Sequence, residues 1–110
     1  MKISEEMEKD AVVCAIEGEI NITTSPELRK LFDKFIRSNI KKVIIDFKNV
    51  SYIDSSGLAT LIEMLQRLKK IEGSLKLVSM PQKIKNIFEI TKLDKLFEIF
   101  ETKEEALKTF

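Results

Sequence analysis

The chain has 110 residues, of which 44% are hydrophobic and 34% charged, with a formal net charge of +1 and no histidine. This length and apolar content fit one domain with one core, spanning residues 1–110. The lack of histidine excludes Ser-His-Asp and Cys-His catalysis and most zinc sites, and the near-zero net charge provides no field that would collect nucleic acid or an anionic membrane.

No membrane span or secretion signal is predicted. The unbroken apolar runs, such as residues 11–16, last only a few positions, whereas a spanning helix needs roughly 20 apolar residues. Residues 1–6 include acids where a secretion signal would be apolar. We therefore expect a cytoplasmic protein that binds no membrane.

Residues 2–8 and 11–17 are predicted to form an antiparallel hairpin of two strands around the turn at residues 8–10. The second strand is apolar on both faces, which is typical of a strand inside a sheet. The single cysteine, Cys14, lies in this run and is predicted to be a buried, inert thiol.

The first helix is predicted to begin at Ser25-Pro26-Glu27, with Ser25 as the N-cap and Pro26 at the first helical position. Apolar residues then recur at the spacing of one helix face, namely Leu28, Leu31, Phe32, Phe35 and Ile36. Residues 42–47 follow as a short buried strand.

The remaining elements alternate between helix and strand. A second helix is predicted over residues 56–71, with Gly73 as its C-terminal cap. A strand over 74–79, a helix opened by Pro81 and a strand over 96–100 follow, and a capping box over 102–105 starts the last helix. This order predicts an α/β fold, with a mixed, mostly parallel sheet of about five strands and about four helices.

The segment Asp54-Ser55-Ser56-Gly57 stands where a strand gives way to a helix, which is where sites form in open α/β sheets. One interpretation is structural: Ser55 or Ser56 caps the helix, Gly57 loosens its first turn and Asp54 offsets the helix dipole. The other is phosphorylation, because a helix N-terminus tolerates the added negative charge. No nucleophile-elbow glycine or Walker A lysine accompanies the serines.

Residues 18–24 form the second notable segment. Gly18 is predicted to break the preceding strand, and Asn21 to hold a turn with its side-chain amide. If the sheet is assembled as above, this loop ends near Ser55 and gives one composite surface with it.

Three stretches resemble the STAS family, specifically the single-domain bacterial anti-sigma factor antagonists. They are residues 17–28, residues 43–58 with the segment Ile53-Asp54-Ser55-Ser56-Gly57-Leu58, and the tail Glu104-Glu105-Ala106-Leu107. The similarity spans nearly the whole chain in the same order. It implies helices packed mainly on one side of the sheet.

The resemblance also implies a partner switch. In such antagonists the unphosphorylated form captures an anti-sigma factor, which is itself a serine kinase, and so frees a sigma factor. A serine phosphatase resets the switch. By position the acceptor is Ser55, with Ser56 as the fallback, and no cofactor or direct nucleic-acid contact is implied. Asn21 replaces the family's aspartate and removes one negative charge from the expected docking surface. The expected partner-binding residues are Asn21, Thr23, Thr24, Asp54, Ser55, Ser56 and Gly57.

Two alternatives stay open at this point. One is a nucleotide-binding or scaffold domain of the same fold within a sensory or transport assembly. The other is a small enzyme that uses carboxylates alone, drawn from Glu17, Glu19, Asp46 and Asp54.

Overall fold

The computed structural model describes residues 1–110, which build one five-stranded sheet and four α-helices. The strands are β1 (Lys2–Glu8), β2 (Ala11–Ile20), β3 (Lys42–Ile53), β4 (Ser74–Val78) and β5 (Glu98–Phe100). The helices are α1 (Ser25–Arg37), α2 (Ser55–Lys70), α3 (Gln82–Ile90) and α4 (Lys103–Lys108), with a short 3-10 helix at Leu93–Lys95. None of these helices combines the length and apolar character that crossing a membrane requires.

The sheet order is β1-β2-β3-β4-β5, with β1 antiparallel to β2 and every other neighbouring pair parallel. Alternate residues of a strand point to opposite faces of the sheet. The residues of β3 show which helices cover each face. Val43 and Ile45 join the large core cluster under α1, α2 and α3, whereas Ile44 joins a small cluster under α4. The predicted fold class, with its helices mainly on one face, is confirmed.

The large cluster is held partly by aromatic packing beneath α3. Phe88 is fully buried, and its ring meets those of Phe47 and Phe97 edge to face at centroid distances of 6.1 and 5.8 Å. Cys14 is also fully buried, and this burial raises the pKa of its thiol to about 12. The burial predicted for this thiol is confirmed, and its raised pKa disfavours the reactive thiolate form.

The face under α4 buries a charged side chain. Lys76 is 2% exposed, and its ammonium lies 4.3 Å from the ring centroid of Phe110 and 5.4 Å from that of Phe100. The Thr109 hydroxyl contacts the same ammonium, and a Glu98 carboxylate oxygen lies 3.6 Å away. The buried charge is therefore compensated by aromatic, hydroxyl and carboxylate partners.

Two strands run further than predicted. β2 does not break at Gly18, which has φ +101° within the strand, and it continues to Ile20. β3 does not end at residue 47, because Asn49, Val50, Tyr52 and Ile53 also pair with β2. From Ala15 to Glu17 in β2 the partner strand advances from Asp46 to Asn49, so β3 bulges by one residue.

Two caps were predicted at the wrong residue. Thr24, not Ser25, is the N-cap of α1, and the Ser25 hydroxyl instead donates to the Asn21 carbonyl at 2.7 Å. After α2, the left-handed residue is Glu72, not Gly73. Gly73 is needed for space, since a Cβ there would lie 2.6 Å from the Lys41 carbonyl oxygen.

The two strands after α2 are shorter than predicted. β4 ends at Val78 because Ser79 has φ +58°, and β5 begins only at Glu98 because the 3-10 helix precedes it. The α4 capping box is confirmed, with the Thr102 hydroxyl accepting from the Glu105 amide at 3.1 Å.

Candidate functional site

The two segments singled out in the sequence lie side by side, at the carboxyl ends of β2 and β3. Ile20 and Ile53 are register partners at the last position of each strand, and the Asp54 amide donates to the Ile20 carbonyl at 3.1 Å. Neighbouring parallel strands present their carboxyl ends at one edge of the sheet. The loop after β2 and the start of α2 therefore form one surface.

The Asp54 carboxylate joins the two segments directly. It is the N-cap of α2, and its Oδ1 accepts from the Gly57 amide at 3.0 Å. Its Oδ2 accepts from the Ile22 amide at 3.2 Å, across 32 residues of chain. Neither serine is the cap, so the structural interpretation of Ser55 or Ser56 as N-cap is wrong. The charge also lies at the positive end of the helix dipole, which favours it.

Gly57 lets α2 approach the ends of both strands. A Cβ at this position would lie 2.7 Å from side-chain carbons of both Ile20 and Ile53, and 3.0 Å from the Ile20 carbonyl oxygen. Both isoleucines are buried. The glycine is thus a spacing requirement and does not loosen the first turn, as the sequence had suggested.

The loop after β2 is held by its own side chains. Asn21 Oδ1 accepts from the amides of Thr23 and Thr24 at 3.0 and 3.1 Å, which confirms the turn predicted for its side chain. The Thr24 hydroxyl donates to the Glu19 carbonyl at 2.9 Å and accepts from the Asn21 amide at 2.8 Å. An uncharged amide oxygen is sufficient for this turn, so Asn21 holds the loop without the negative charge that an aspartate would add.

The two serine hydroxyls are free of protein hydrogen bonds. Ser55 is exposed and Ser56 half-buried, and Ser56 is bonded only through its carbonyl, which accepts from Thr60. Ile22 lines a groove together with Ser56 and is 75% exposed, and Tyr52, three residues before Ser55 in the chain, is 41% exposed. We call this set, Ile22, Tyr52, Asp54, Ser55 and Ser56, the serine surface.

Most of the residues predicted for partner binding are accessible here. Thr23 and Ser55 are exposed, and Asn21, Thr24, Asp54 and Ser56 are partly so, whereas Gly57 is buried and contributes only through spacing. Sequence reasoning missed Ile22 and Tyr52. The available signal was an isoleucine in an otherwise polar turn, and a tyrosine two positions before the predicted helix cap.

Two of the carboxylates considered for catalysis, Asp54 and Asp46, accept hydrogen bonds from backbone amides. Both oxygens of Asp54 accept backbone amides, and Asp46 Oδ1 accepts from the Lys48 amide at 2.9 Å. No group of three or more His, Cys, Asp or Glu side chains is arranged to hold a metal ion. In this structure Asp54 serves as a structural acceptor.

Replacing Asp54 with alanine is expected to lower the free energy of unfolding by about 1–2 kcal/mol, because the cap of α2 is lost together with the tie to Ile22. Asp54→Asn keeps one acceptor oxygen and is expected to lose less. Urea unfolding followed by circular dichroism measures both. Equal midpoints for wild type and Asp54→Ala would contradict the importance of this carboxylate.

Known proteins share both the sequence pattern and the fold. The model of the STAS domain matches residues 2–106. A Thermotoga neapolitana protein, provisionally named an anti-sigma factor antagonist, is 29% identical over 101 residues, covering 91% of this chain and 89% of that protein. An anti-sigma factor antagonist from Mycobacterium paratuberculosis superimposes with a TM-score of 0.89 at 25% identity, covering 98% of this chain and 92% of that one.

A third likeness is to the phosphorylated form of SpoIIAA, a Bacillus cell fate determinant. It superimposes with a TM-score of 0.75 at 22% identity and covers 98% of each chain. At this identity the likeness extends to the fold.

Proposed function

Since this chain belongs to the STAS domain family, we propose that it is an anti-sigma factor antagonist that works as a phosphorylation-controlled partner switch. The unphosphorylated form binds an anti-sigma factor with serine kinase activity and frees a sigma factor. Phosphorylation of Ser55 abolishes this binding, and a serine phosphatase restores it. The protein acts in the cytoplasm by binding and carries out no catalysis of its own.

One observation carries this proposal: the Ser55 hydroxyl is exposed and free of hydrogen bonds on the surface where the two loops meet. A kinase needs such access to the hydroxyl oxygen. Ile22, whose amide is bonded to the Asp54 carboxylate, offers exposed apolar area for a partner to bury. The names of the relatives supply the class of partner.

The chemistry of the switch follows from that position. The Ser55 oxygen attacks the γ-phosphorus of ATP held by the kinase, ADP leaves, and the hydroxyl proton passes to a base of the kinase. The phosphate adds about 1.5 to 2 negative charges at neutral pH. At the N-terminus of α2 this charge is tolerated by the fold. A partner that had covered a neutral hydroxyl must now desolvate a phosphate next to Asp54, so it dissociates.

The test is binding to the serine-kinase-like anti-sigma factors encoded in the same genome. Ser55→Asp is expected to weaken the Kd at least about tenfold by calorimetry, equivalent to about 1.4 kcal/mol. Ser38→Asp, at an exposed serine just after α1, is the matched control and is expected to bind as wild type.

Mass spectrometry after incubation with kinase and ATP should place the label on Ser55. Two results together would overturn the proposal: wild-type affinity of Ser55→Asp for each candidate, and no label on Ser55 or Ser56 with any of them.

A further inference from the structure

The two adjacent serines face different surroundings. Ser56 lines a shallow groove between α1 and α2, together with Arg29, Ala59 and Thr60. Ser55 does not line this groove and is exposed instead. Arg29 is the only charged side chain among the groove's lining residues. A group attached to Ser56 would therefore enter a groove that Arg29 also lines, and a group attached to Ser55 would not.

The Arg29 guanidinium has hydrogen-bond donors that are not used within the protein. Its Nε lies 3.2 Å from Glu63 Oε1, and its two terminal nitrogens make no hydrogen bond. Both side chains are roughly half exposed, so this pair contributes little to stability and is easily exchanged. Phosphate is the ligand whose geometry the guanidinium fork matches, and it binds more strongly than a single carboxylate contact through Nε.

The helix geometry places Ser56 on the same face of α2 as Glu63. Glu63 follows Ser56 by seven residues, which is about two turns on the same face of α2 and about 10.5 Å along its axis. Thr60 lies between them and also lines the groove. A phosphorylated Ser56 would thus give this face of α2 two anionic groups near Arg29, with Glu63 about two turns C-terminal to the phosphate.

We propose that Arg29 binds a phosphate carried by Ser56, and not one carried by Ser55, so that phosphorylation of the two serines has different consequences. This inference rests on the proposed phosphorylation switch for its biological setting. The phosphoryl group comes from ATP by kinase transfer, as for Ser55. A phosphate on Ser55 stays on the serine surface with its full charge, whereas one on Ser56 is neutralised between α1 and α2 and releases Glu63.

The test installs phosphoserine at position 55 or 56 during synthesis, so that no kinase or partner is needed. The pKa of each phosphate is then followed by phosphorus NMR. Arg29→Gln is expected to raise the pKa of the Ser56 phosphate by about 0.5, because a nearby cation is removed, and to leave that of the Ser55 phosphate unchanged. Arg67→Gln is the matched control, since Arg67 pairs with Asp33 between the same two helices.

Each outcome tests the binding of a Ser56 phosphate by Arg29, independently of the proposed function. An equal pKa of the Ser56 phosphate in wild type and Arg29→Gln overturns it, and so does a shift of the same size at Ser55. The Ser56 phosphoprotein is also expected to melt no lower than the Ser55 phosphoprotein, so failure of the former to fold counts against the inference. None of these results depends on partner binding, so the proposed function is tested separately.

Discussion

Gly57→Val is expected to lower the free energy of unfolding by about 3 kcal/mol or more. Overpacking a core costs about 1–3 kcal/mol, and this position is tighter than most. The added carbons would overlap side-chain atoms of Ile20 and Ile53, the last residues of two paired strands. Both isoleucines are buried in the large core cluster. We therefore expect α2 to move outwards, which separates the Asp54 carboxylate from the Ile22 amide. Urea unfolding measures the first effect, and hydrogen exchange of the Ile22 amide measures the second.

Two further variants separate overpacking from helix propensity. Gly57→Ala is expected to lose less, because alanine is favoured over glycine in helices by up to about 1 kcal/mol. Ala59→Val places the same side chain two residues on, at an exposed position, and is expected to cost less than about 1 kcal/mol. If the two valine variants are equally stable, the close approach at Gly57 is not what constrains this turn.

Phe88→Ala is expected to lower the free energy of unfolding by about 3–5 kcal/mol. The ring is fully buried and packs edge to face on Phe47 of β3 and on Phe97, just before β5. Its removal leaves a cavity at the centre of the contact between α3 and the sheet. Domains of this size are stable by only about 5–15 kcal/mol, so this loss is a substantial part of the total.

Ile90→Ala is the matched control for Phe88→Ala. Ile90 lies on the same helix but is 81% exposed, so truncation there is expected to change stability by less than about 0.5 kcal/mol. Comparable urea midpoints for the two variants would contradict the assignment of Phe88 to the core.

The parts of the fold that depend on residues close together in the chain could be predicted from the sequence. The apolar stripe of α1, the capping box at Thr102 and the alternation of strands and helices each depend on neighbours a few residues away. The second half of β3 could not be predicted in this way. Its buried residues Phe47, Val50 and Ile53 recur every third position, because two irregularities in its pairing with β2 interrupt the alternation.

The location of the site could be predicted from the sequence, but its hydrogen bonds could not. The carboxyl ends of parallel strands place Asn21 near Ser55 by topology alone. That Asp54 caps α2 and also bonds the Ile22 amide depends on the register of β2 and β3, which local sequence does not determine. The exposure of Ile22 and Tyr52 likewise became visible only with the loops in position.

The bond between Asp54 and Ile22 has a consequence for when the serine surface exists. During synthesis the ribosome makes residues 20–24 well before residues 54–57, and neither segment holds the other until β3 has paired with β2. A nascent or misfolded chain carries both serines without presenting the composite surface. Any partner that recognises the two loops together would therefore engage finished molecules and ignore incomplete ones.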